Sequence, residues 1–285
     1  MWCAAAVPVA AAEPGAKSFM WEVRQGDRVI YLLGSLHVGN ADFYPLSPAV
    51  EGAFAKSEVL AVEADVSDPQ ATMAAMQKGM YAGDDNVQNH LSKELVKRIA
   101  AVLPRYGMNM QLMANMKPFM LMSTLVMAES MRLGYDPQGG VDLYFLGKAR
   151  ARKMKIVELE SIDAQLDIMN GFSDAEMEAM LGQTVASIED DTMGKELKAM
   201  IAAWRRGDGA ELLRVVEASF GEHSDAKTAV MEKLNARRNR AMTDKIERYL
   251  QSGRTHFVAV GALHLVGEQG IINLLRKKNY AITQR

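Results

Sequence analysis

Two histidines, His37 and His264, sit in matching local settings near opposite ends of the chain. Tyr31-Leu32-Leu33-Gly34-Ser35-Leu36-His37-Val38 aligns without gaps against Val258-Ala259-Val260-Gly261-Ala262-Leu263-His264-Leu265. Each copy reads as an apolar strand, a glycine, a small residue, leucine, histidine and an aliphatic residue. The spacing alone discriminates little, because Gly253 and His256 also satisfy Gly-x-x-His, which makes three of the 5 histidines. That third case precedes its strand, whereas the other two follow theirs. A glycine at a strand end allows a sharp turn and close backbone approach. The third residue beyond it then projects from the carboxyl edge of the sheet, where open α/β sheets bind ligands. If the two strands are neighbours, the two imidazoles converge.

Carboxylates join them. Glu63 ends a third apolar segment, and Asp65, two positions on, faces the same way if the strand continues. Glu158 and Glu160 share one face of a fourth. Two neutral imidazoles with carboxylates suit Mn, Zn, Co or Fe with a position left open for water. Such an ion acidifies the water to give hydroxide near neutral pH, and a spare carboxylate serves as general base. The plainer alternative makes each histidine structural and each carboxylate a solvated strand end. Arg238, in Arg237-Arg238-Asn239 on a long helix, has the geometry to hold a substrate carboxylate or oxyanion bidentately; a solvated helix face is the alternative. Asn239 and Asp65 are the candidate substrate contacts. No Gly-x-Ser-x-Gly, phosphate loop or dinucleotide fingerprint occurs.

The elements that must position these residues follow from hydropathy. Residues 19–24 and 28–33 flank the turn signal Gln25-Gly26-Asp27 and read as a hairpin. Further strands are expected over 58–63, 155–160, 256–260 and 280–283, with a short helix over 48–55. Three-and-four apolar spacing predicts helices over 93–103, 141–152, 174–180 and 229–250. Strands separated by helices argue for an α/β fold: a mixed, mostly parallel central sheet formed from both chain ends, with a large helical insertion over about 66–250. No Pro/Gly/Ser-rich linker divides the middle, so residues 18–285 read as a single domain.

Composition narrows the classes further. The 285 residues are 49% hydrophobic and 24% charged, which permits a large core. Lys+Arg of 33 against Asp+Glu of 35 gives a net charge of −2, without the basic footprint of a general nucleic-acid binder. The basic run Lys148, Arg150, Arg152, Lys153, Lys155 is expected to be a solvated helix end. A lone Cys3 rules out an intrachain disulfide framework and cysteine-based metal centres. No apolar run is long enough for a transmembrane helix. Within the leader, residues 1–17, residues 1–12 carry no charge and are mostly Ala and Val, ending in Ala10-Ala11-Ala12 before Glu13-Pro14-Gly15. They read as the remnant of a signal peptide, placing the protein in the periplasm or cell envelope, against the alternative of a disordered leader. Of the 21 methionines, eight crowd 108–131, with Pro118 expected to kink or divide that helix. They suit a flexible core, and less well a copper site or an adaptable peptide groove.

These motifs together resemble the TraB/GumN family, which includes the Tiki proteases. The resemblance runs from about Phe19 to Arg285. It is carried by Gly34-Ser35-Leu36-His37 and Gly261-Ala262-Leu263-His264, supported by Val62-Glu63-Ala64-Asp65, Gly140-Val141-Asp142, Val157-Glu158-Leu159-Glu160, Arg238-Asn239 and Gly267-Glu268-Gln269-Gly270-Ile271. It implies an erythromycin-esterase/ChaN-like α/β core and a metal-dependent hydrolase, peptidase-like, acting on a peptide or small-molecule substrate. By position it makes His37, Glu63 and His264 the leading residues, with Glu160, Arg238 and Asn239 supporting. Asn235-Ala236-Arg237 departs from the family, which often has an acidic residue there. A Mn, Co or Zn ion is the expected cofactor. The alternatives are a non-catalytic envelope protein binding haem or metal through the same histidines, and a Met-rich peptide-binding module.

Overall fold

The turn at Gly26-Asp27 closes an antiparallel hairpin between β1 (Met20–Gln25) and β2 (Arg28–Ser35), in register from Met20 opposite Leu33 to Gln25 opposite Arg28. A computed structural model describes residues 17–219 and 231–285. The leader, Cys3 and the first two residues of the helix expected over 229–250 lie outside the described residues. β3 (Val59–Val62), β4 (Lys155–Glu158), β5 (His256–Gly261) and β6 (Ala281–Gln284) complete one six-stranded sheet of order β4-β3-β5-β2-β1-β6. The β4–β3, β3–β5 and β5–β2 pairings are parallel; β1 is antiparallel to both β2 and β6. The sheet is therefore mixed and mostly parallel, built from both chain ends as the sequence implies.

β3 and β5 are two of the interior strands, and their runs Val59-Leu60-Ala61-Val62 and Phe257-Val258-Ala259-Val260 are wholly buried. Continuous apolar sequence, without alternation, is what strands covered on both faces require. Phe54, Phe145 and Phe257 stack together from the helix Pro48–Lys56, the helix Val141–Ala151 and β5, with ring centroids 4.7 to 5.4 Å apart. The helix Thr192–Arg205 is pinned to β2 by Trp204, whose indole N–H donates to the Gly34 carbonyl at 2.7 Å. The helix Arg237–Gln251 adds Met242, Ile246 and Leu250 to the same core. A second core joins the helices Lys93–Val102, Pro118–Arg132 and Asp174–Glu189 around Leu95, Ile99, Leu121, Leu125, Leu181 and Val185.

Several expectations need correction. β4 stops at Glu158, so Glu158 and Glu160 do not share a strand face; the chain turns at Leu159 while backbone pairing to β3 continues, Glu160 N–H donating to the Glu63 carbonyl at 2.7 Å. β3 likewise ends before Glu63, and Asp65 is not carried along a strand. The helix expected over 174–180 runs to Glu189, held at its start by a capping box between Ser173 and Glu176. The long helix expected over 229–250 begins, in its described part, as a π-helical segment, Met231–Ala236, before Arg237–Gln251. Pro118 does divide the methionine-rich stretch: it opens the helix Pro118–Arg132, after a short helix Met110–Met113. The basic run is not simply solvated. Lys148 pairs with Glu51, Arg150 with Asp65 at 2.7 Å, and Arg152 donates to the carbonyls of Phe54 and Ala55. No helix of the described residues is long and apolar enough to cross a membrane.

Candidate functional site

The strand order settles the question left by the sequence. β5 lies between β2 and β3, all three parallel, so the residues that follow them emerge at one edge. His37 leaves the end of β2, His264 stands in the short helix Ala262–Leu265 after β5, and Glu63 immediately follows β3. Their meeting point is Gly261. A side chain added there would lie 3.1 Å from Glu63 Oε1, 3.6 Å from His264 Cδ2 and 3.7 Å from His37 Nε2. The glycine leaves that space to the three functional groups, a use of its missing Cβ rather than of an unusual φ.

Each imidazole is oriented by a partner on its Nδ1. His37 Nδ1 donates to Asp142 Oδ2 at 2.7 Å, while Ser35 Oγ donates to the other oxygen of the same carboxylate. Asp142 is brought there by the loop before its helix, which lies so close to the β2 exit that a Cβ on Gly140 would meet the His37 carbonyl at 2.7 Å. His264 Nδ1 donates to Asn239 Oδ1 at 2.6 Å. The Asn239 amide cannot be turned round, because its Nδ2 donates to the Gln269 carbonyl at 2.8 Å. With both Nδ1 atoms occupied as donors, both Nε2 atoms carry the lone pair when the rings are neutral. His264 Nε2 stands 3.6 Å from Glu63 Oε1.

Glu63 is locked from behind. Its Oε1 accepts from the Gly261 N–H and its Oε2 from Arg238 Nη2 at 2.8 Å. Arg238 also grips Glu160, with Nη2 at 2.6 Å and Nε at 3.0 Å from Oε2, and its Nη1 donates to the Leu234 carbonyl. Gln165 bridges the two carboxylates. Arg238 is buried and committed to protein partners, so the structure gives it the work of holding Glu63 and Glu160. Asp65 is not among this group; it faces Arg150 and Ser67, and its N–H takes up Glu158 Oε1 at 2.6 Å. His256, the third Gly-x-x-His residue, is buried at the start of β5 and stacked on Tyr249.

The electrostatics separate the two imidazoles. The Asp142 carboxylate, with Glu63 behind it, raises His37 to about 9 against the opposing effect of its surroundings. Burial pushes His264 down to about 4, keeping it neutral. Burial would raise Glu63, but the two imidazoles, Arg238 and the Gly261 N–H outweigh it and hold the carboxyl down at about 2. His264 is 7% exposed and His37 68% exposed, so the site opens to solvent on the His37 side. Among the described residues no group of three or more His, Cys, Asp or Glu is placed to hold a metal ion. The donor chemistry nonetheless fits a divalent ion: two imidazole Nε2 atoms and one carboxylate oxygen, with a carboxylate and an amide fixing the rings from outside. The local sequence of Asp142 carries no signal of this role beyond the motif Gly140-Val141-Asp142; the partner it orients lies about a hundred residues away.

Comparison with known proteins agrees in extent. The model of the TraB/PrgY/gumN family matches residues 19–284. The chain is 25% identical over 251 residues to the uncharacterized protein YbaP of Escherichia coli (strain K12), covering 88% of this chain and 89% of that one. It is 22% identical over 314 residues to the metalloprotease TIKI1 of Danio rerio, covering 93% of this chain and 62% of the relative, and 22% identical over 318 residues to the metalloprotease TIKI2 of Xenopus tropicalis, covering 93% and 59%. No solved structure matches the chain.

Proposed function

This chain belongs to the TraB/PrgY/gumN family, and on that premise we propose that it is a metal-dependent hydrolase, peptidase-like, acting where the exits of β2, β3 and β5 meet. The observation that carries the proposal is the convergence of His37 Nε2, His264 Nε2 and Glu63 Oε1 around the bare Cα of Gly261. The two metalloprotease relatives support the reaction class, and the TraB/GumN resemblance supports an erythromycin-esterase/ChaN-like arrangement of the core. His37, His264 and Glu63 would hold a Mn, Co or Zn ion. When bound, such an ion supplies an acidified water and polarises a scissile carbonyl.

The chain's own residues do the rest. Asp142 and Asn239 fix which ring nitrogen faces the open space, the tautomer control that metal-binding histidines require. Arg238, between Glu160 and Glu63, holds the Glu63 carboxylate ionised and aimed at the histidines. His264 lies on the buried side and His37 at the mouth, so substrate enters past His37. The leader reading of residues 1–17 accompanies this proposal with a site of action in the periplasm or envelope; N-terminal sequencing of a secreted fraction tests it.

The decisive experiment measures metal in freshly purified protein and follows cleavage of a quenched peptide library after chelation and return of Mn, Co or Zn. Activity is expected to return with metal in the native chain but in neither His37→Ala nor His264→Ala. Stoichiometric binding that ignores both substitutions, or turnover indifferent to chelator, would remove the proposal. Titration with haem is expected to give no Soret band; one lost in the same variants would favour the binding-protein reading instead.

A further inference from the structure

A cavity of about 510 Å³ lies in the helical region, bounded by the helices Pro118–Arg132, Asp174–Glu189 and Thr192–Arg205 and by Leu234 of the π-helical segment. Its volume is that of a small-molecule site, roughly 300–1,000 Å³. Met122, Met180, Met193 and Met200 form much of its wall. Methionine walls adapt to an apolar guest of irregular shape, which gives part of the methionine-rich sequence a use beyond packing.

Apart from Gln183, whose amide can donate or accept, the neutral polar groups of the wall have one sense. Ser130, Thr184 and Ser187 spend their hydroxyl protons on the carbonyls of Val126, Met180 and Thr184, which leaves oxygen lone pairs as what they can offer. Glu196 is the one charged residue among the described lining residues. It is half-buried and makes no hydrogen bond or ion pair with the described residues; burial alone raises its carboxyl above the ordinary range. Among the described lining residues the only charge is negative and the hydroxyls accept, so the chamber suits a positively charged donor.

We propose that this cavity is a binding site for a small organic amine with an apolar body, the ammonium donating to Glu196 and the body lying among the methionines. The site is separate from the histidine site and the inference does not depend on the hydrolase reading. The two touch through Leu234, which lines the cavity and whose carbonyl accepts from Arg238 at 3.1 Å.

The test uses the full chain, with 4-phenylbutylamine and its anionic counterpart 4-phenylbutyrate as probes. Calorimetry gives affinity, and ¹³C-methyl-methionine NMR gives location. The amine is expected to bind at least about tenfold tighter than the carboxylate, the effect of one charge-assisted hydrogen bond, and to shift the methyls of Met122, Met180, Met193 and Met200. Glu196→Gln, which keeps the side chain's shape, is expected to abolish the preference. Ala179→Trp, at the exposed rim, is expected to block both probes. Absence of amine binding at millimolar concentration, equal binding of the two probes, or shifts confined to the exposed Met73 and Met76 would each overturn the proposal.

Discussion

Asp142 is the group on which the ionisation of His37 depends. An imidazole held near 9 is protonated at neutral pH in the absence of an ion, so binding a metal must expel that proton. Metal affinity is therefore expected to rise with pH, about tenfold per unit below pH 9, with one proton released per ion; calorimetry in buffers of different ionisation enthalpy reads this directly. Asp142→Asn keeps the shape but removes the charge. The His37 titration followed by NMR is expected to fall toward its ordinary range, with metal affinity reduced about 10- to 100-fold. An unmoved titration would show that Asp142 is a spacer. Arg238 is tested by stability. Removing one partner of a buried ion pair costs about 3–5 kcal/mol because the other charge is left without compensation. Arg238→Met strands both Glu63 and Glu160, and urea unfolding is expected to report a loss in that range; a loss below about 1 kcal/mol would mean the two carboxylates escape to water.

At the scale of elements, the edge that carries the candidate site is made by where strands stop. Gly261→Ala places a methyl group 3.1 Å from Glu63 Oε1 without any forbidden backbone angle, so the sheet should persist while the proposed metal site is crowded. Unchanged circular dichroism with metal affinity lowered at least about tenfold is the expected pair of readings, consistent with an overpacking cost of roughly 1–3 kcal/mol; full metal affinity would contradict the geometry. This edge was legible in the sequence wherever local chemistry decides. The β1–β2 hairpin, the buried runs of β3 and β5 and the paired glycine–leucine–histidine exits could all be read from residue types and spacing. What could not be read was set at a distance. Asp65 lies two positions beyond Glu63, a spacing that suggested a shared face, but β3 ends first and Arg150 draws the carboxylate elsewhere. Arg238 looks free in its helix; only folding supplies the two glutamates that occupy it. Asp142 meets His37 because two glycine-rich loops touch, a contact between segments about a hundred residues apart that no local pattern encodes.

Across the whole molecule, stability and the site share titrating groups. His264, at about 4 when folded against an ordinary 6.5, takes up its proton more readily once unfolded. The stability tied to its neutral form is present above pH 6.5 and lost as the pH falls through about 4. His37 runs the other way: its contribution is present below pH 6.5 and fades as the pH rises through about 9, and it is small because that ring is largely in water. Urea midpoints of the apo protein are expected to fall between pH 6.5 and 4, and less steeply in His264→Gln; equal slopes in the two proteins would place the acid sensitivity elsewhere. The sheet order carries a consequence in time. β5 fills the gap between β2 and β3 but is synthesised after both, with the whole helical region lying between. Until the ribosome has made β5, the two strands that flank it have no strand to join them, and His264 does not yet exist. Whatever chemistry this site performs is thus withheld from a nascent chain, or one truncated before β5, and begins only once β5 has threaded into the middle of the sheet.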